Sequence, residues 1–291
     1  MRGQWRGVPV TGHFYNREDR ERETWSHHTD VTLEIDPPLH VGGTEVENLV
    51  FDPELVLDIR KRCLTEFDMV VGIGDGGFFG TWNHYEESPD RYRAVFELFA
   101  WAAPIFIAKS KEHPPAWLVA LEAAWPSLAQ GWGLQVDIAR AEMTGVVRGL
   151  PTTVNVRYHV QGRGTYVEVA VPMPRGCELW LKKQDGDGFF DRLFRGQDVK
   201  LGDKAFDDAF VVKGEPEAFV HAALSPAVRQ QLMHLLGAGV AISLEQGKLV
   251  AITKGVLTDR EQLDQLMKAA YTAATSLYPQ APAAPPLVPY R

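Results

Sequence analysis

Apolar and polar residues alternate in twos over residues 29–35, where Val31, Leu33 and Ile35 fall on one side and Thr32 and Glu34 on the other. This is the pattern of a half-buried strand, and Pro37 and Pro38 close it. Two more strands precede it, on either side of the Gly-x-Pro turn at Gly7 to Pro9. The charged run NREDRERE (16–23) has no apolar face and reads as a hairpin tip in water. Residues 52–65 predict a helix with Pro53 at its first position, and 67–71 a strand. Ser88 and Pro89 then start a helix carrying Tyr92, Val95, Phe96 and Phe99 at helical spacing, the run 105–107 predicts a strand, and 115–130 a closing helix.

Period-2 alternation returns over residues 145–148, 152–160, 166–171 and 178–182, with QGRG (161–164) as a hairpin turn. Phe206, Asp207, Phe210, Val211 and Val212 predict a strand that answers Phe67 and Asp68 in the first half. Ser225 and Pro226 start a helix with Val228, Leu232, Leu235 and Leu236, which Gly237 and Gly239 end, and these are paired with Ser88 and Pro89. Residues 240–256 predict a hairpin around Gln246 and Gly247, and Thr258 with Glu261 a capping box for a helix to Leu277.

The two halves share more than element order. Gly3, Arg6, Gly7 and Pro9 recur as Gly145, Arg148, Gly149 and Pro151, each 142 positions later (3 to 145). Thr29, Val31, Leu33 and Ile35 recur as Thr165, Val167, Val169 and Val171, now 136 positions later (29 to 165). The expectation is an α+β fold: a tandem duplication of a module of antiparallel sheet plus helices, related by a pseudo-two-fold axis. Its parts are residues 1–139, residues 140–279 and an extended Pro/Ala-rich tail, 280–291.

Residues 201–252 carry an FD-x-x-F-x-V segment (Phe206, Asp207, Phe210, Val212), a Leu-Ser-Pro helix start (Leu224, Ser225, Pro226) and the hairpin that follows. From Leu201 to Ile252 the chain resembles a bacterial family of uncharacterised function with these same features. The resemblance implies structure only and brings no activity with it.

Composition narrows the classes of function. The chain has 291 residues, 45% apolar and 23% charged, enough to bury a core. Its net charge of −8 argues against a nucleic-acid partner, which needs clustered Lys and Arg to meet phosphates. Residues 1–139 hold 12 basic and 22 acidic side chains, whereas 140–291 hold 18 and 16. No apolar stretch is long enough to span a bilayer, and Cys63 and Cys177 form no motif, so a reducing cytoplasm is the expected location.

Gly72, Gly74 and Gly77 spell G-x-G-x-x-G, yet FFGTWNHYEES separates them from the next helix, so no helix N-terminus meets a phosphate there. Asp185 and Asp187 begin a calcium-loop spelling that Phe189 interrupts. His28 and Asp30 share one side of a strand, opposite His27, and two ligands do not make a zinc site. No cofactor and no catalytic or metal site is therefore expected, although a hydrolase triad gathered from distant residues stays open as a third reading. The strongest candidate is the aromatic stretch Phe78, Phe79, Trp82, His84 and Tyr85 among glycines, which reads either as a binding loop or as a seal between the repeats. Leu287, Val288 and Tyr290 in the tail read as a docking peptide. The leading expectation is a non-catalytic interaction or scaffold protein with a protein partner; the alternative is a binder of an apolar small molecule in a cleft between the repeats.

Overall fold

The structure, a computed structural model, describes residues 2–5, 8–19, 24–35, 53–74, 77–159, 162–184 and 198–277. The calcium-like spelling at Asp185, Asp187 and Phe189 and the tail residues Leu287, Val288 and Tyr290 lie outside the described residues. The protein is α+β, with seven α-helices and two antiparallel sheets among the described residues. It divides into two compact units, Met1–Val119 and Ala120–Arg291, a division that falls ahead of the repeat boundary read at 139/140.

In the first unit β1 (Arg2–Trp5), β2 (Val8–Asp19) and β3 (Thr24–Glu34) form an antiparallel meander, so the charged run from residue 16 begins as strand rather than as loop. Helix α1 (Pro53–Phe67) follows, then the hairpin of β4 (Val70–Gly74) and β5 (Gly77–Trp82), then α2 (Pro89–Glu112). The sheet order is β1-β2-β3-β5-β4. Val31, Leu33, Val71, Ile73 and Phe78 on one face of the sheet bury Val56, Ile59 and Cys63 of α1 and Val95, Phe99, Ala102 and Phe106 of α2 in one core.

Two local expectations are corrected here. Phe67 ends α1 instead of opening a strand; Asp68 turns the chain in the left-handed region (φ 53°) and the strand starts at Val70. Residues 105–107 belong to α2, not to a strand. A short apolar run fits either element, and the buried stripe Val95, Phe99, Ala102, Phe106 settles it because its spacing is helical.

Helix α3 (Ala116–Trp132) starts just ahead of the division and runs into the second unit, where β6 (Leu134–Asp137), a 3-10 turn (Ile138–Arg140), β7 (Glu142–Val147), β8 (Leu150–His159) and β9 (Gly162–Ala170) follow. Next come β10 (Glu178–Lys183), α4 (Lys204–Ala209), β11 (Phe210–Glu215) and α5 (Glu217–Ala223). The unit ends with α6 (Pro226–Gly237), β12 (Ala241–Glu245), β13 (Lys248–Lys254) and α7 (Arg260–Leu277). The sheet order is β11-β10-β12-β13-β9-β8-β7-β6.

Five adjacent strands of this sheet repeat the first sheet pair by pair. Gly3 faces Val10 as Gly145 faces Thr152, and Val10 faces Leu33 as Thr152 faces Val169. Leu33 faces Phe78 as Val169 faces Leu249, and Ile73 faces Phe78 as Leu244 faces Leu249. The match reaches single hydrogen bonds. The Thr29 hydroxyl donates to the His84 carbonyl and accepts from the Glu86 N–H, both at 3.0 Å. The Thr165 hydroxyl donates to the Gly255 carbonyl (3.2 Å) and accepts from the Leu257 N–H (2.8 Å). From β4 onward the spacing between counterparts is 171 positions (84 to 255). At that spacing Ser88, the cap of α2, falls on Asp259, whose side chain accepts the Gln262 N–H and caps α7.

The counterpart of the Ser88-Pro89 helix is therefore α7, and the pairing of Ser88 and Pro89 with Ser225 and Pro226 is overturned: α6 precedes a hairpin, as α1 does. The cap of α7 is likewise Asp259 rather than Thr258. The FD segment divides between α4, which holds Phe206, and β11, which starts at Phe210. Strand β5, with its aromatic residues, matches the core strand β13, while β10, α4, β11 and α5 have no counterpart among the described residues of the first unit.

Thr29→Val should lower stability by about 1–3 kcal/mol in denaturant titrations, because it strands a part-buried carbonyl and a buried N–H, and Thr165→Val should cost less, because the Gly255 carbonyl it releases is on an exposed residue. Thr32→Val, on the opposite face of β3, should change it by less than about 0.5 kcal/mol.

Candidate functional site

The five aromatic-stretch residues do not act together. Phe78 and Trp82 are fully buried, and the Trp82 indole N–H donates to the Phe67 carbonyl at the end of α1 (2.7 Å). These two are core, which removes them from any contact surface. Phe79 lies on the opposite face of β5, half-exposed, with its ring over Gly72, where a Cβ has no room. His84 and Tyr85 follow β5, and of the five only Tyr85 lines a groove, whose other walls the sequence had not marked.

The groove lies between the start of α2, the end of β1 and the middle of β2. Trp5, Phe14, Tyr85, Pro89, Tyr92 and Phe96 form its walls, Glu86, Glu87 and Arg93 line it too, and its volume is about 710 Å³. Phe14 and Tyr85 are 50% and 41% exposed, and their rings meet edge to face at 6.2 Å. The His27 ring lies 4.5 Å from Tyr85. Tyr92 packs edge-on against Trp82 at 5.4 Å, so the groove floor is continuous with the core.

A buried carboxylate holds this wall in place. Glu86 Oε1 accepts the Ser88 N–H at 2.8 Å, and Oε2 meets Arg91 at 2.9 Å and the His84 ring at 3.2 Å. Its carbonyl accepts the Tyr92 hydroxyl at 2.7 Å. Burial by itself would raise the carboxyl pKa, but the Ser88, His84 and Arg91 hydrogen bonds and the Arg91 charge outweigh it and hold the group below its ordinary value. Tyr92 is pushed up by burial and by the neighbouring Glu86 charge. The Ser88 hydroxyl accepts the Arg91 N–H at 3.4 Å and caps α2.

The other candidates are dispersed. Gly72 and Gly74 lie in β4 and Gly77 opens β5, so the glycine spelling is a β-hairpin, and Gly77 (φ 130°) presses against the Leu33 carbonyl. Asp30 accepts the Thr81 hydroxyl at 2.7 Å, and His28 is buried. Among the described residues no group of three His, Cys, Asp or Glu side chains could hold a metal ion. Burial pushes the Cys63 thiol up to about 12, so it stays protonated and inert at neutral pH. No helix is long and apolar enough to cross a membrane among the described residues.

Because Glu86 titrates lower in the folded chain than its ordinary 4.5, its contribution is complete above that pH and is lost as pH falls through the folded value. Glu86→Gln should cost about 1–3 kcal/mol at neutral pH, and the difference from the parent should shrink below about pH 4.5 in urea titrations across pH.

No protein-family model and no curated protein matches the chain. Among solved structures, the crystal structure of the mycobacterial trehalose monomycolate transport factor A, TtfA, is similar over 57% of this chain and 98% of its own, at 12% identity and a TM-score of 0.37.

Proposed function

We propose that the chain is a non-catalytic protein-interaction protein whose first unit binds a partner through the aromatic groove. The observation that carries this is the half-exposed pair Phe14 and Tyr85, held over an apolar floor by a wall whose buried carboxylate, Glu86, is already paired. Aromatic side chains give much contact area for few rotors and dominate binding energy at interfaces. The net charge of −8 suits a protein partner better than a nucleic acid. A second reading, a binder of an apolar small molecule, is favoured by the cavity of about 710 Å³, a size within the roughly 300–1,000 Å³ of ligand sites.

A photo-reactive phenylalanine analogue placed at Phe14 or at Tyr85, one at a time in the native host, should give protein-sized adducts on illumination. The same group at Leu57, an exposed α1 residue away from the groove, should not. Adducts absent at both groove positions, together with a thermal upshift given by an apolar ligand library, would replace the protein reading by the small-molecule one.

A further inference from the structure

The groove of the first unit has a counterpart in the second, and that counterpart is covered. By the strand registers and the match of α2 to α7, Trp5, Phe14, Tyr92, Arg93 and Phe96 correspond to Val147, Val156, Leu263, Asp264 and Met267. Four of those five are buried, Val147 at 4%, Val156 at 8%, Leu263 and Met267 at 1%, whereas in the first unit only Phe96 is buried, Phe14 is 50% exposed and Trp5 and Tyr92 are half-buried. A helix meets the second site: the Trp132 indole N–H, at the end of α3, donates to Asp264 at 2.8 Å, and its ring meets Tyr271 of α7 at 6.4 Å. Leu121, Trp125, Leu128 and Ala129 give α3 one buried apolar face, and β6 continues from it to pair with β7.

We infer that the first-unit groove takes an amphipathic α-helix of a partner protein, laid beside α2 as α3 meets α7. This names the partner class for the site proposed above and rests on that reading. Charge further selects the helix. Where the second unit offers Asp264 to an indole N–H, the first offers Arg93, an exposed guanidinium whose ion pair with Asp90, at 3.8 Å, uses few of its five donors, so the occupant presents a carboxylate there instead of a donor. Glu87 on the same wall calls for a Lys or Arg. Helix-in-groove recognition needs little else: an apolar stripe at three- and four-residue spacing and matched charges at its margins.

The probe is a fluorescein-labelled peptide of residues 116–137 with glutamate in place of Trp132, titrated against the full chain and followed by anisotropy. Saturable binding is expected. It should weaken at least about tenfold in the Phe14→Asp/Tyr85→Asp double variant and in Arg93→Glu, and persist in Leu57→Asp. A peptide of the same composition with the apolar spacing scrambled should not bind. Failure of the ordered peptide to bind, or binding that survives both groove variants, overturns the inference. So does self-association of the chain that the groove variants abolish, since the occupant is then a second copy. Protein adducts at positions 14 and 85 without peptide binding would remove the helix and leave the interaction reading standing; no adducts at all would remove the reading itself.

Discussion

One buried hydroxyl fixes how the sheet hands over to the helix. Thr29 sits in β3 with no exposed surface, and its oxygen bonds both the carbonyl of residue 84 and the N–H of residue 86. A single side chain thereby satisfies two backbone groups of a crossing segment that has no ladder partner, which would otherwise leave them buried and unpaired. The crossing sets where α2 begins and hence where Tyr85, Glu86 and Tyr92 stand. Thr165 makes the same two bonds to residues 255 and 257, which are Gly and Leu, although Gly255 is exposed and also bridges Gly164. The hydroxyl device therefore belongs to the shared module. The carboxylate of Glu86, with its ties to Ser88, His84 and Arg91, is an addition of the first unit at the groove wall.

Each sheet covers one face with helices, and the units differ most in what extends their edges. The second sheet carries β6 beyond β7 and β10 and β11 beyond β12; among the described residues the first ends at β1 and β4. The strands that correspond in register therefore face different surroundings, and matching strand positions are buried in one unit and line an open groove in the other. Register explains why the core tolerates this: Val31, Leu33, Val71, Ile73 and Phe78 keep to one face whatever is added at the edges.

The strand half of this arrangement was legible in the chain. The spacings of 142 and 136, read from Gly3 and Thr29 alone, match the observed ladders, because strand faces must keep the same alternation and turns the same glycines. The helical half was not. Its spacing of 171 preserves almost no residue type: Trp82 falls on Thr253, Tyr92 on Leu263 and Phe99 on Ala270. Burial is kept at Phe99 and Ala270 but not throughout, since Thr253 is half-buried where Trp82 is buried and Leu263 is buried where Tyr92 is half-buried, and the coincidence of two Ser-Pro dipeptides pointed to the wrong helix. The groove escaped detection for another reason. Trp5 and Phe14 come from the start of the chain, Tyr85 and Phe96 from its middle, and only the meander of β1 to β3 with α2 brings them together. Residues Phe78 and Trp82 looked like their equals because composition does not separate a core ring from a surface one.

The corrected alignment also says what the fold does and does not demand of the groove. Positions 14 and 85 have valines as counterparts, Val156 and Val256, in a module with the same ladders and the same threonine bridge. The architecture is thus satisfied by a small aliphatic side chain at both places. A phenylalanine and a tyrosine there, 50% and 41% exposed, leave large apolar area in water that the core does not need. Nor do they seal the α2 wall, since Tyr92 and Phe96 already close it against Trp82 and Trp5. The pair stacks edge to face, which fixes both rings in advance and lowers the ordering cost of any partner that covers them. Exposed, pre-ordered and not required by the strand registers, the two rings are the feature on which the proposed partner contact rests.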